Sequence, residues 1–149
     1  MIGLLQRVSR AKVTVDNIDV AAIEAGILVL VGVERGDTPA QAARLAEKIC
    51  RYRVFPDTDG KMNLSVSDRG GQVLLVPQFT LAANTRKGTR ASFASAAEPV
   101  LGERLFAELT EQVRSLYAGV QSGVFGAHMA VSLVNDGPVT FWLRAAPPA

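Results

Sequence analysis

The chain has 149 residues, of which 48% are hydrophobic and 20% are charged, a balance typical of a globular rather than a disordered protein. Its formal net charge of +2 is too small to indicate by itself a protein that grips a nucleic-acid duplex. A single cysteine excludes an internal disulfide, and no apolar run approaches the roughly 20 residues that span a bilayer. We therefore expect one domain over residues 1–149, soluble and cytoplasmic, without a membrane partner.

The first half of the sequence predicts strands followed by a helix. Apolar and polar residues alternate around Thr14, the pair 16–17 is typical of a turn, and the apolar run 27–31 predicts a buried strand. Thr38 and Gln41 have the spacing of a capping box, in which each side chain satisfies a backbone N–H near the other. A helix is therefore predicted to begin at Thr38.

The second half mixes the same two kinds of element. Residues 73–76 predict another buried strand, and a second helix is predicted from about 98–99 until Gly119. The stretch 129–144 has the alternation of two strands, interrupted by the turn-like segment 135–138. Because the order of strands and helices shows no regular βαβ rhythm, the predicted class is α+β.

The side chains that usually carry catalysis are scarce. His128 is the one histidine, and a lone histidine is more often structural than catalytic. A dyad with Cys50 is conceivable, but it would pull that thiol away from the apolar side of the first helix. The sequence has no nucleophile elbow, no phosphate-binding loop and no cluster at metal-ligand spacing, so we expect no metal and no cofactor. An enzyme of this composition would depend on backbone dipoles, positioning and groups of the substrate.

Three segments remain notable. The segment 86–90 contains three cations and reads as a solvated loop, with a phosphate contact to a short RNA segment as the alternative. The segment 77–81 follows a buried strand, and its plain interpretation is a strand end with Phe79 in the core. The segment 135–140 contains an Asp-Gly pair typical of a hairpin connection, although Pro138 removes a ladder donor where the next strand should start.

Together, the last two segments resemble the paired signatures of the D-aminoacyl-tRNA deacylase family, Ser-Gln-x-x-Leu and Asn-x-Gly-Pro-x-Thr. The resemblance covers nearly the whole chain, including its start and the segments 60–64 and 131–143. It implies mixed β-sheets that form a barrel-like layer with two main helices packed against it. It also implies a carboxylic ester hydrolase that frees a D-amino acid from tRNA, with no cofactor and no DNA partner.

The resemblance further assigns roles to residues of the first signature. Gln78, Phe79 and Thr80 would line the pocket that receives the terminal adenosine and its amino acid. The chemistry would be RNA-assisted: the 2′-OH of the tRNA and backbone N–H groups near Phe79 and Thr80 would activate water and stabilise the oxyanion. This fits the scarcity of catalytic side chains.

The second signature would select the chirality of the substrate. The family implies a homodimer in which Gly137 and Pro138, joined by a cis peptide bond, reach into the partner's site. Their carbonyl oxygens would hold the α-amino group, so that an L side chain collides with the protein. Arg7 would support this loop and Met129 would lie nearby. Glycyl-tRNA, including glycine mischarged on tRNA(Ala), would also be accepted.

One departure from the family pattern leaves alternatives open. Residue 77 is Pro where the signature has Ser, and a related animal family of tRNA deacylases carries Pro-Gln here, with a trans Gly-Pro bond and relaxed chirality. Phe79 and Arg7 match the D-specific enzyme, which we favour. Two alternative functions stay open: a tRNA-binding or structural module that has the fold without the activity, and an unrelated hydrolase of small esters.

Overall fold

The computed structural model describes residues 1–147. Its elements, in chain order, are the strands β1 (Ile2–Val15), β2 (Ile18–Ile23) and β3 (Gly26–Gly32), the helix α1 (Pro39–Arg51), the strands β4 (Phe55–Pro56) and β5 (Met62–Leu64), the helix α2 (Val66–Arg69), the strand β6 (Gln72–Pro77), a 3₁₀ helix (Phe79–Ala82), the helix α3 (Pro99–Leu116), and the strands β7 (Val120–Ser122) and β8 (Ala130–Arg144).

Helix α1 begins where its local sequence predicts. The hydroxyl of Thr38 accepts the backbone N–H of Ala40 at 3.3 Å, and the side chain of Gln41 accepts the backbone N–H of Thr38 at 2.8 Å. Both halves of the capping box are therefore present. Leu45 and Ile49 lie on the buried face of the helix, as their helical spacing requires.

The sheet is organised around β1. The first half of this strand pairs antiparallel with β3 and the second half with β2, while β8 runs antiparallel along its other edge. β6 joins β3 in parallel, and β7 joins β6. Two glutamine side chains draw the ends of the sheet together: Gln72 Oε1 accepts the N–H of Glu24, and Gln121 Oε1 accepts the N–H of Ala22, each at 2.9 Å. The sheet is thus a nearly closed barrel.

Apolar side chains pack on both faces of this sheet. On one face, Leu5 of β1, Val29 of β3 and Leu75 of β6 pack in the same cluster as Leu45 of α1 and Leu109 of α3. On the other face, β1, β2, β3 and β6 enclose a second cluster inside the barrel. The predicted α+β class, with a barrel-like layer and two main helices, is confirmed, and the short helix α2 is an addition.

The prediction of two strands between 129 and 144 is wrong, because β8 is one strand along β1. Gln6 pairs with Thr140 and Val8 pairs with Asn135, so the residues between them bulge out of the ladder without reversing the chain. The side chain of Asn135 accepts the N–H of Val139 at 2.9 Å and donates to Thr140 Oγ1 at 2.8 Å. These local bonds let the turn-like residues form a bulge instead of a hairpin.

None of the helices within residues 1–147 combines the length and the apolar character that crossing a membrane requires.

Candidate active site

A cavity of about 430 Å³ lies at the carboxyl ends of the parallel strands β3 and β6. Its walls come from these strand ends, from the first turns of α3 and from the segment 125–131. Crevices at the carboxyl ends of parallel strands are frequent ligand sites in α/β sheets, and this cavity lies at the carboxyl ends of two such strands. The cavity is therefore the candidate active site.

The segment predicted from the first signature forms the mouth of this cavity. The backbone N–H of Gln78 donates to the Val31 carbonyl at 2.7 Å, which extends the β3–β6 pairing past the end of β6. Gln78 and Phe79 line the cavity, and the side-chain amide of Gln78 donates to Thr80 Oγ1. Phe79 is 60% exposed, so its alternative interpretation as a core residue is wrong.

Two backbone donors at this mouth are free. The first backbone N–H groups of the 3₁₀ helix, those of Phe79 and Thr80, have no acceptor anywhere within residues 1–147. This follows from helix geometry, since the first N–H groups of a helix have no partner in the preceding turn. Free N–H groups beside an apolar cavity can stabilise an oxyanion that forms there.

Pro77, the departure from the family signature, fits this strand end without loss of a ladder bond. Successive N–H groups of a strand point to opposite sides, and that of Gln78 points to β3. The N–H that Pro77 lacks would point to the β7 side, where that strand has already ended at Ser122. The pyrrolidine ring instead lies against Gly123, whose added Cβ would be 3.5 Å from Pro77 Cδ.

The candidate nucleophiles and bases do not form a catalytic pair. Cys50 lies on the buried side of α1, and burial raises the pKa of its thiol to about 11, so it is protonated and inert at neutral pH. His128 is exposed at the cavity wall, whereas Cys50 is absent from that wall. Among residues 1–147, no three His, Cys, Asp or Glu side chains lie close enough to hold a metal ion. What the site does offer is backbone donors beside an apolar cavity.

The second signature lies elsewhere in the same chain. The Gly137–Pro138 peptide bond is cis, and both residues are exposed on the bulge of β8. Arg7 holds this bulge, because its Nε donates to the Asp136 carbonyl at 3.0 Å and its Nη1 donates to the Val54 carbonyl at 2.7 Å. Neither Gly137, Pro138 nor Arg7 is among the residues that line the cavity.

The structure therefore divides the predicted site residues into two groups. Gln78, Phe79 and Met129 meet at the cavity, with Thr80 beside them in the 3₁₀ helix. The other three predicted residues form the bulge and its support, outside the cavity of their own chain.

Two glycines that shape the cavity escaped the sequence analysis. Gly102 lies within α3, and a Cβ there would stand 3.3 Å from the ring of Phe125, which lines the cavity. Gly123 leaves space for Met129, since its Cβ would stand 2.9 Å from the Met129 sulfur. A glycine inside an apolar helix costs about 1 kcal/mol relative to alanine, and this unfavourable choice is the signal that could have revealed Gly102.

Comparison with known families adds to this geometry. The family model described as D-Tyr-tRNA(Tyr) deacylase matches residues 4–144. A protein of Thioalkalivibrio sulfidiphilus named D-aminoacyl-tRNA deacylase is 66% identical over 148 residues, which cover 99% of either chain. A protein of the same name from a Janthinobacterium species is 58% identical over 147 residues, again covering 99% of both chains.

Solved structures have the same fold. One described as c-Myc DNA Unwinding Element Binding Protein superposes with a TM-score of 0.94 at 39% identity and covers both chains completely. Another, described as a probable eukaryotic D-amino acid tRNA deacylase, has a TM-score of 0.81 at 17% identity, with 97% of this chain and 98% of that one covered. The second likeness concerns the fold alone. From the family match and the identities of its relatives, we conclude that the chain belongs to the D-Tyr-tRNA(Tyr) deacylase family.

Proposed function

We propose that the chain hydrolyses the ester bond between a D-amino acid and the 3′-terminal adenosine of its tRNA, releasing both. The observation that carries this proposal is the apolar cavity with the free N–H groups of Phe79 and Thr80 at its mouth. Ester hydrolysis passes through a tetrahedral oxyanion, which such donors stabilise. The substrate class follows the relatives named D-aminoacyl-tRNA deacylase.

The proposed chemistry uses the substrate's own ribose. Water attacks the ester carbonyl carbon, the bond from that carbon to the ribose oxygen breaks, and the proton lost by water ends on the leaving ribose oxygen. The neighbouring 2′-hydroxyl orients the water, while the two backbone N–H groups bind the oxyanion. Thr80 is a poor nucleophile, because the contact recorded for its hydroxyl is the amide of Gln78, which is not a base.

Chiral selection is proposed to act by exclusion. In this proposal, the carbonyl oxygens of Gly137 and Pro138 bind the α-amino group of the substrate, which places the protein where an L side chain would project. The contacts from Arg7 to Asp136 keep the bulge in position for this interaction with the substrate. Exclusion of one side chain needs no pocket for the other, so glycine, which has none, is also accepted.

The deciding experiment compares three substrates under one set of conditions. We expect D-tyrosyl-tRNA and glycyl-tRNA to be cleaved, and L-tyrosyl-tRNA to be cleaved at least about a hundredfold more slowly, because exclusion acts on the transition state. Release of labelled amino acid measures all three rates. Comparable cleavage of the D and L substrates would contradict exclusion and favour the relaxed animal family. Tight tRNA binding without any cleavage would instead favour the inactive binding module.

A homodimer is the second part of the proposal, because the bulge and the cavity of one chain are separate. An apolar row that runs from the barrel cluster to the surface supports it. The register places Leu4 beside both Leu30 and Trp142, and Trp142 is 58% exposed. Exposed tryptophan in a contiguous apolar row is typical of a protein interface.

Light scattering at micromolar concentration should therefore give the mass of two chains. We expect Trp142→Asp to give one chain, since a buried, unpaired carboxylate would cost several kcal/mol at such an interface. Ile18→Asp is the matched control, because Ile18 is 66% exposed and lies beside the β1–β2 turn. A wild-type monomer that is fully active would overturn the homodimer.

A further inference from the structure

A second exposed aromatic ring lies beyond the mouth of the cavity. Phe93 is 47% exposed, and its ring centroid lies 5.3 Å from that of Phe79 with 45° between the ring planes. The pair continues the cavity wall outward, because Phe79 itself lines the cavity. Neither ring is buried in the core. Two adjacent exposed aromatic rings are suited to binding an apolar, planar partner.

The backbone holds Phe93 firmly in this place. Asn84 and Ser92 exchange two backbone hydrogen bonds, at 2.8 and 3.0 Å, and so close the loop that precedes the ring. On the other side, Ser95 Oγ donates to the Ala82 carbonyl at 2.6 Å. The ring is thus anchored next to the 3₁₀ helix that carries the cavity mouth.

The loop that these bonds close, residues 85–91, is strongly cationic. Arg86, Lys87 and Arg90 are all exposed, and no acidic residue occurs between Arg69 and Glu98. None of the ion pairs among residues 1–147 involves these three cations. Gly88 has φ +65, and a Cβ there would meet nothing within 4 Å, so the tip of the loop stands in open space. Exposed aromatic rings with unpaired cations beside them are the features that bind single-stranded nucleic acid.

We propose that Phe93 and the loop 85–91 bind the single-stranded 3′ end of the tRNA outside the cavity. The base next to the terminal adenosine stacks on the Phe93 ring, and the loop cations contact the backbone phosphates that lead to it. Stacking uses the face of the base and needs no hydrogen bond to its edge, so the ring alone is sufficient for this contact. This inference rests on the proposed function, since it needs the terminal adenosine in the cavity.

The test compares two substrates that differ in the nucleotides outside the cavity. One is D-tyrosyl-tRNA and the other is D-tyrosyl-adenosine, which ends at the terminal nucleoside. We expect Phe93→Ala to raise KM for D-tyrosyl-tRNA by about 5- to 150-fold, the equivalent of one lost base stack, with kcat retained. The same variant should cleave D-tyrosyl-adenosine as the wild type does, and Phe93→Trp should restore the KM for the tRNA.

The contribution of the loop cations is tested by measuring how KM depends on salt concentration. For Arg86→Gln and Arg90→Gln, we expect a higher KM for D-tyrosyl-tRNA and a shallower dependence of log KM on log salt concentration, because fewer counterions are released. Arg114→Gln is the matched control, since this exposed arginine pairs with Glu111 near the end of α3. Its salt dependence should equal that of the wild type.

The outcomes separate this inference from the function beneath it. Wild-type protein that cleaves neither substrate would refute the proposed function. Cleavage of both substrates, with Phe93→Ala equal to wild type on each, would refute the inference alone. An equal loss of activity by Phe93→Ala on both substrates would also refute it, because the ring would then act by supporting Phe79. A change in the oligomeric mass of this variant would refute it too, because the ring would then belong to an interface between chains.

Discussion

Two variants that are each inactive should recover about one quarter of wild-type activity when they are coexpressed. The variants are Phe79→Pro, which damages the cavity mouth, and Gly137→Val, which damages the bulge. If each site combines the cavity of one chain with the bulge of its partner, a mixed dimer holds one intact site and one doubly damaged site. Random pairing makes half of the dimers mixed, so about a quarter of all sites are intact.

The structure gives a reason for each loss. Proline removes the N–H of Phe79 while its fixed φ fits the first position of a 3₁₀ helix, and one missing oxyanion donor costs about 10²–10³ in kcat. Phe79→Ala, which loses the ring but keeps the donor, separates these two effects. At Gly137, φ is +141 and a Cβ would lie 2.7 Å from Val139 Cγ2, so valine must displace the bulge.

Deacylation of D-tyrosyl-tRNA after coexpression with two distinguishable tags measures the recovery. The control coexpresses wild type with the double variant, in which mixed dimers contain two damaged sites and add no activity. No recovery from mixed dimers that are folded and isolated as such would show that each chain completes its own site. That result would overturn the shared active site.

A tRNA that ends in 2′-deoxyadenosine should be a very poor substrate, whereas the Thr80→Ala enzyme should remain active. In the proposed chemistry the 2′-hydroxyl orients the attacking water, and groups with such a role contribute about 10²–10⁴ in rate. Thr80→Ala removes a hydroxyl without a base, so we expect its kcat within about tenfold of wild type. Single-turnover deacylation measures both.

Two controls sharpen this comparison. A 2′-deoxy substitution in the next nucleotide should change the rate little, because that hydroxyl lies away from the ester. His128→Asn should also retain activity, although the chain's one histidine lines the cavity. A folded Thr80→Ala protein without activity would identify the Thr80 hydroxyl as the nucleophile. Full activity on the 2′-deoxy substrate would exclude the RNA-assisted mechanism.

Features with a local cause could be predicted from the sequence. The capping box at Thr38 depends on residues three positions apart, and its two hydrogen bonds are present. The buried strand at 73–76 follows from a continuous apolar run, since both of its faces are covered. The inert state of Cys50 likewise follows from its place on the buried side of α1.

Features with a non-local cause were predicted only through the family resemblance or not at all. The turn signal around Gly137 indicates a change of direction, yet pairing of both flanks with β1 keeps β8 straight. The cavity depends on space left by Gly102 and Gly123 between elements far apart in the chain. The hydrophobic periodicity of one segment does not reveal which distant segments it will contact in the folded chain.

The two glutamine contacts that draw the ends of the sheet together have a consequence for the dynamics of the barrel. Ala22 and Glu24 are held across the gap by the side-chain amides of Gln121 and Gln72 instead of by a backbone ladder. Each of these bonds can break without moving a strand, so β2 can separate from β6 and β7 while the rest of the sheet stays paired. The native barrel should therefore open at these two contacts with a low free-energy cost. Amide protons beside them should exchange with solvent before those of β3 do.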